Sequence, residues 1–469
     1  MFANAPGYYF LERSWILLHP GSTWWGQLPA LALGIASIPA IFALCRYFNL
    51  APAIQLGAAL MVSVSPVCII FSTRYKEYSA DFLMACLLLA LSERAQRDPT
   101  SKNLRLLAVI SVVAFGISGS TLPMVIGVWM ALALRTIRSN AERRRSIIWT
   151  ISVVAACCFV VDRVFYSHLS PYLNQFWSHN FFVFSSPGAF GDSFYHLLLG
   201  VYQGLDGAAL LGALEFSLFT ALLIFGAVRS ASALGPVLAL CVAFVACLAR
   251  AVPLGTGRTD EVLYPALLLL LASGVQRGCS ALAEQNIRKA WRMWTLATIG
   301  FTLACIFVLG GIGTDNRYDR TDVGPLAAEI NHDMRPGDHI VVDSLLRYTW
   351  ALYEDRSLHI MLGSLWLPGF SVTSTQSDTF IVPSFPGEGG WSPTSWNHQL
   401  NHYPRLWLVE SPYIANPEAA QSLASDYYGD LYRAGWRPVF TLMGTGCEGV
   451  LLMKDAGGHT ESARRAGQF

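Results

Sequence analysis

Ten apolar runs fill the first two thirds of this sequence, and they leave few folds open to it. A helix needs about 20 apolar residues to cross the hydrocarbon core of a bilayer. Candidate spans lie at 27–48, 52–72, 79–93, 104–119, 121–136, 147–163, 209–228, 236–252, 261–277 and 293–312. The third is short and can recruit the polar residues before it. The stretch 104–136 is interrupted by Gly116, Ser118, Gly119 and Pro123, which leaves open one broken, re-entrant unit in place of two spans. Composition agrees with a lipid solvent. Only 13% of the residues are charged, against about 25% in a soluble globular protein.

The near-neutral total charge hides two different objects. Residues 313–469 carry 11 Lys/Arg and 18 Asp/Glu, whereas residues 1–312 carry 21 and 13. The expected organisation is a transmembrane domain of about ten helices over 1–312, followed by a soluble α/β domain over 313–469. Nine of the ten cysteines precede residue 313, mostly inside apolar runs, and read as small buried hydrophobes. Cys447 stands alone in the second domain, so that domain has no internal disulfide to form.

Lys/Arg placement sets the orientation. With residue 1 outside, the cytoplasmic loops hold 15 of the 21 basic residues of the first domain, including Arg143, Arg144 and Arg145, while the loop 164–208 holds none. That loop and the C-terminal domain are therefore expected on the extracytoplasmic face. Met1–Phe10 has neither a basic n-region nor a long apolar core, so it does not read as a signal peptide. An N-terminus outside with no helix to carry it across points to a further helix upstream of Met1.

In the second domain, Val323–Met334 has apolar residues at helical spacing and ends at a Pro336-Gly337-Asp338 turn. His339–Val342, Arg405–Glu410 and Val450–Met453 read as strands, and Leu345–Tyr353 and Pro417–Ala434 as helices. The pattern predicts a partly parallel sheet. The stretch 363–400, rich in Gly, Ser, Pro, Thr and Trp, reads as a long surface loop.

Ionisable groups at membrane depth cost about 2.5–3.5 kcal/mol each, so they are rarely idle. Two clusters concentrate them. The first is Arg74-Tyr75-Lys76-Glu77-Tyr78-Ser79-Ala80-Asp81, where helical spacing would put Arg74, Glu77, Tyr78 and Asp81 on one face. It is either an ion-pair cluster closing a helix or the wall of a polar cavity for an anionic or sugar-bearing ligand. The second is Gly255-Thr256-Gly257-Arg258-Thr259-Asp260-Glu261, followed by Tyr264-Pro265. It is either a plain polar turn or a phosphate site. Arg258 offers a planar fork to phosphate, Asp260 can orient it, and the glycines allow close approach. Both clusters fall on the side of the soluble domain. Basic and acidic groups brought to one cavity by separate spans suit an enzyme acting on a lipid phosphate.

Weaker candidates are Glu215, early in a span, and His168, His179 and His196, whose spacing matches no metal site. Trp24, Trp25, Phe176 and Trp177 read as interface anchors. No phosphate-binding glycine loop, nucleophile elbow or nucleic-acid footprint is present.

Several of these segments together resemble the polytopic C-type glycosyltransferases, and most nearly family 39. That branch depends on lipid-phosphate sugars and includes protein mannosyltransferases and the aminoarabinose transferase of lipid A. Pro6-Gly7-Tyr8-Tyr9-Phe10-Leu11 resembles the "P-x-Y-Y-x-L" segment of the family's first outer loop. Ser65-Pro66 with Phe71–Asp81 resembles its "SP…YS-x-E-x-(R/K)-x-Y-S-x-D" stretch, and Gly257–Asp260 with Tyr264-Pro265 is similar to a late outer turn of bacterial members. The resemblance implies a multi-pass protein of the bacterial inner (cell) membrane with its C-terminal domain extracytoplasmic. It implies inverting transfer of a sugar from a polyprenyl-phosphate donor to a lipid, glycan or protein acceptor in envelope assembly, with no cofactor, metal or nucleic acid. It also implies Arg258 and Lys76 on the phosphate and Tyr78 and Asp81 in positioning, with Arg74 and Asp260 as further substrate-binding residues.

The chain departs from the family at one point. The family's acidic residue after its first helix, its expected catalytic base, has no counterpart here, which again points upstream of Met1. Glu77 is the acid left to serve as base. The alternative is a catalytically inactive relative acting as a binding or scaffold subunit. A transporter would be expected to show internal repeats, and none is evident.

Overall fold

The structure, a computed structural model, describes residues 6–19, 23–72, 77–137, 141–166, 178–206, 212–228, 233–257, 259–285, 323–342, 346, 350, 360–362, 370–372, 379–381, 400, 402–410, 431–444 and 447–454. The chain divides into two compact units. One is Phe2–Asp315 with Leu365–Pro368, and the other is Asn316–Ser364 with Gly369–Phe469.

The first unit is helical: α1 Pro6–Ile16, α2 Thr23–Tyr47, α3 Pro52–Val64, α4 Pro66–Phe71, α5 Tyr78–Arg97, α6 Ser101–Ile117, α7 Leu122–Thr136, α8 Ala141–Val161, α9 Pro187–Asp206, α10 Gly212–Ala227, α11 Leu234–Leu248 and α12 Tyr264–Gln285. Among the described residues, Trp24–Tyr47, Gly119–Thr136, Ala141–Val164 and Glu261–Ala281 are each long and apolar enough to cross a membrane. The expected span 293–312 lies outside the described residues.

Three departures from the sequence reading bear on the site. The run 52–72 is broken in two, because Pro66 lacks the N–H that a continuous helix needs and pushes Ser65 to an extended backbone (ψ 119°). The short third run becomes the 20-residue α5 by extending to Arg97, a length of about 30 Å at 1.5 Å per residue. Its far end is tied to Glu93 by Arg97 (2.9 Å), which also donates to the Tyr47 carbonyl. Finally, the described part of the loop 164–208 contains α9. Ser186 caps that helix by accepting from the Ala189 N–H at 3.1 Å.

α5 sits centrally, packed against α2, α6, α7 and the short 3-10 turn Glu261–Leu263 that opens α12. Its buried stripe Asp81, Ala85, Leu88 and Ser92 follows helical spacing and carries one charged residue at its head. The break at Ser118–Thr121 divides α6 from α7. Thr121 closes it by donating to the Ser118 carbonyl at 2.8 Å. Trp15 and Trp25 stack at 4.5 Å and exchange indole-to-carbonyl hydrogen bonds of 2.8 Å, which pins α1 to the start of α2. Trp24 is exposed beside them. Phe176 and Trp177 lie outside the described residues.

The second unit is a five-stranded sheet in the order β4-β1-β5-β7-β6. Its strands are β1 Asp338–Val342, β4 Thr379–Ile381, β5 Arg405–Glu410, β6 Trp436–Gly444 and β7 Cys447–Lys454; β1 runs parallel to β4 and β5, and the pairs β5–β7 and β7–β6 are antiparallel. β2 Ile360–Leu362 and β3 Phe370–Val372 form a separate antiparallel pair. β3 and β4 therefore give order to part of the stretch read as a long loop. Alternation splits the core between two faces. Ile340, Val342, Trp407 and Val409 pack with Leu326, Ala327 and Ile330 of α13 Gly324–Asp333, while Val341, Leu406 and Leu408 pack with Trp436, Val450 and Leu452. Asp338 fastens the turn before β1, accepting from the Arg335 N–H (3.0 Å) and pairing with Arg405 (3.1 Å). Nearly all of the predicted helices Leu345–Tyr353 and Pro417–Ala434 lies outside the described residues.

Candidate functional site

Asp81 is the hub of one end of the helical unit. It is 0% exposed in the first turn of α5, and burying a carboxylate there requires partners. Ser120, in the turn between α6 and α7, donates to its Oδ2, and Ser118 lies 2.8 Å from Ser120. Glu77 is the N-cap residue of α5, half-buried, and close enough to Asp81 for their carboxylates to interact. Tyr78 is half-buried, with its ring 4.6 Å from Phe71. Arg74 and Lys76 lie outside the described residues.

The second sequence cluster arrives at the same place. The turn Glu261–Leu263 packs on α5, and the carboxylates of Glu261 and Asp81 interact. Just before it, Asp260 builds the loop that holds Arg258. Its carboxylate accepts from the backbone N–H groups of Gly255 (3.2 Å) and Gly257 (2.8 Å) and from the Thr256 hydroxyl (3.4 Å). Gly255 and Gly257 take positive φ (71° and 66°), which a side chain would strain. Burial pushes the Asp260 carboxyl up to about 6, against the pull of those hydrogen bonds. Arg258 lies outside the described residues. Both Asp260 oxygens are engaged by the loop's own donors, so Asp260 acts on the site by shaping this loop.

α9 seats the loop from behind. Gly200 and Gly204 form a small-xxx-small face. A Cβ at Gly200 would lie 3.0 Å from the Gly255 backbone, and one at Gly204 would collide with the Tyr264 hydroxyl. Ser65, at the break between α3 and α4, donates to the Gly204 carbonyl at 3.4 Å.

α1 supplies Tyr8, named in the sequence only as part of the Pro6–Leu11 segment, and Glu12, which sequence reasoning did not single out. Tyr8 and Glu12, four apart, share the inward face and are 3% and 1% exposed, while Phe10 on the opposite side is 65% exposed. The Tyr8 phenol lies within electrostatic reach of Glu12, Glu77 and Asp81; burial first, then those carboxylates, push its acidity constant up. The close approach that brings α1 in is made at Gly7, where a Cβ would stand 2.8 Å from the Gly116 carbonyl oxygen on α6.

Of the residues expected at the site, Glu77, Tyr78 and Asp81 stand together and Asp260 lies in the adjoining loop. Glu12, Tyr8, Ser120 and Glu261 join them from elements far apart in sequence. The signals available for them were the i, i+4 pairing of Tyr8 with Glu12 and the Gly200/Gly204 spacing that marks a packed helix face. Because the Asp260 acceptors face backbone donors, an Asp260→Asn exchange would turn an NH2 group onto an N–H. The expected cost is about 1–3 kcal/mol, read as faster amide exchange in 253–260 and a lower melting temperature in detergent. Unchanged exchange would mean the loop is held by other contacts.

No family model matches the sequence, and no curated protein does. Solved structures do match by fold. ArnT from Cupriavidus metallidurans in the apo state superposes with a TM-score of 0.54 at 13% identity, covering 96% of this chain and 87% of ArnT. The same protein bound to undecaprenyl phosphate gives 0.50 at 13% identity, covering 97% and 88%. The chain thus has an ArnT-like fold, with several apolar helices long enough to cross a membrane among the described residues and a C-terminal sheet domain.

Proposed function

We propose that this protein is a membrane glycosyltransferase that moves a sugar from a polyprenyl-phosphate donor to an acceptor on the extracytoplasmic side. The observation that carries the reading is the meeting of α1, the head of α5 and the Glu261 turn at one end of the bundle, with buried acids from all three. The basic residues of both clusters neighbour them in sequence. The complex of ArnT with undecaprenyl phosphate supports a lipid of that class, and Lys/Arg placement supports the extracytoplasmic side.

Transfer needs four things: a base, an oriented acceptor, a held sugar and a stabilised leaving group. Glu77 takes the proton of the acceptor hydroxyl, and the oxygen attacks the anomeric carbon with inversion. The bond from that carbon to the phosphate oxygen breaks, and polyprenyl phosphate leaves with the bonding pair. Lys76, Arg258 and Arg74 neutralise that charge, in a setting where water is scarce and each cation counts for more. Tyr78 and Asp81 position the reacting groups, and Asp260 keeps the Arg258 loop in shape. A phosphate so held is a good leaving group, and the reaction calls for no cofactor.

The direct test uses the full chain in proteoliposomes with undecaprenyl-phosphate sugars labelled in the sugar. Label moving from donor to an envelope extract, with release of undecaprenyl phosphate, is the expected result. Absence of both turnover and lipid binding would end the reading. Binding without turnover would leave the scaffold alternative in its place.

The α1 approach makes a further prediction. Gly7→Ala drives a methyl against the Gly116 carbonyl and moves Tyr8 and Glu12 away from Asp81. Misplacement by about 1 Å can cost about 10²-fold in rate, so turnover is expected to fall by about that much with insertion intact. An unchanged rate would detach α1 from the site.

A further inference from the structure

Three side chains at this site hold buried oxygens that no hydrogen bond satisfies among the described residues: Tyr8 Oη, Asp81 Oδ1, and both carboxylate oxygens of Glu261. Tyr8 is 3% exposed, Asp81 0% and Glu261 1%. Native proteins rarely leave such atoms bare, and each one calls for an explanation. These come from three separate elements, and the electrostatic coupling of Tyr8 to Asp81 and of Asp81 to Glu261 puts them in one group. As carboxylates Asp81 and Glu261 accept hydrogen bonds, and the phenol can donate one. The group's complement must therefore be rich in donors. A phosphate is all acceptor and anionic, so the same carboxylates repel it.

We infer that Glu261, with Asp81 Oδ1 and Tyr8 Oη, forms the subsite that receives the transferred sugar, reading its hydrogen-bond donors while the phosphate is held by other groups. This rests on the transferase reading and adds to it a division of the site into a sugar half and a phosphate half. A ring presenting adjacent hydroxyls supplies two donors to the Glu261 carboxylate and one to Asp81. A site built to hydrogen-bond a ligand rejects an analogue lacking those donors, since its own buried groups are then left unpaired. Glu261 is accordingly a specificity-determining residue, separate from the base and from the phosphate ligands.

The test compares a bare lipid with sugar-bearing ones. The full chain in nanodiscs is titrated with undecaprenyl phosphate and with its glucosyl, mannosyl and 4-amino-arabinosyl forms, for wild type, Glu261→Gln and Tyr8→Phe. The inference expects at least one sugar-bearing lipid to bind wild type about tenfold or more tighter than the bare lipid. Glu261→Gln should erase most of that advantage and leave bare undecaprenyl phosphate unchanged. Tyr8→Phe should reduce the advantage less, and it serves in its place if the glutamine variant fails to fold. The inference is overturned if the sugar-bearing lipids gain nothing over the bare one, if the advantage survives in these variants, or if bare and sugar-bearing lipids weaken together. Should wild type bind none of these lipids, the transferase reading itself fails, which is a separate outcome from binding without sugar discrimination.

Discussion

Arg258→Ala and Lys76→Ala should each lower transfer from a polyprenyl-phosphate donor by about 10²–10³-fold, with the protein still made and inserted. The sugar–phosphate bond breaks by placing charge on the phosphate, and that charge grows where lipid and protein exclude water. Removing one fixed cation there leaves the transition state short of a counter-charge that solvent cannot replace. Arg258 is carried between Gly257 and Thr259, in the loop that Asp260 ties down, and Lys76 immediately precedes Glu77 at the head of α5. Arg258→Lys should recover only part of the loss, because a point charge cannot reproduce the two-pronged guanidinium contact with phosphate. Turnover by purified variants in proteoliposomes reads this directly. Full activity in both alanine variants would remove the proposed phosphate site.

Glu77→Gln carries the second large effect. If Glu77 accepts the acceptor's proton, an isosteric amide keeps the N-cap shape of α5 and removes only the base. General-base help is worth about 10²–10⁴-fold, so kcat should fall by that amount while binding of undecaprenyl phosphate stays as in wild type. Asp81→Asn separates the roles. Asp81 is fixed by Ser120 and buried deeper than Glu77, so its loss should disturb KM and kcat together. A Glu77→Gln enzyme with wild-type kcat would pass the role of base to another acid of the cluster, with Glu12 the first to examine.

The parts of this account that were legible in the sequence are those where chemistry and periodicity sit on the same residues. The segment Glu77–Asp81 places charge at the start of an apolar run, and a helix begins there because Tyr78 onward buries one stripe, with Glu77 at the N-cap position. Ser65-Pro66 marks a break, since proline has no N–H to donate to a helix hydrogen bond, although the apolar run continues through it. β1 and β5 were readable because both faces of these central strands are covered, which makes Ile340–Val342 and Leu406–Val409 continuous apolar runs. Glu12 was not legible. Its neighbours Phe10 and Leu11 are exposed and apolar, so the helix buries its polar side inward, the reverse of the soluble pattern. α9 was hidden because its loop carries no basic residue and many aromatics, and its Gly200/Gly204 face gains meaning only once Gly255 and Gly257 are seen against it. Glu261 looked like one more residue of a polar turn. Only the packing of that turn on α5 brings it beside Asp81.

The central claim is that the two polar stretches serve one lipid phosphate. A photoreactive undecaprenyl phosphate, with its reactive group beside the phosphate, can be cross-linked to the native chain in proteoliposomes and the labelled peptides mapped. The account predicts label in both 73–82 and 253–262, displaced by unlabelled undecaprenyl phosphate. Label confined to one of the two stretches, or to neither, would contradict it.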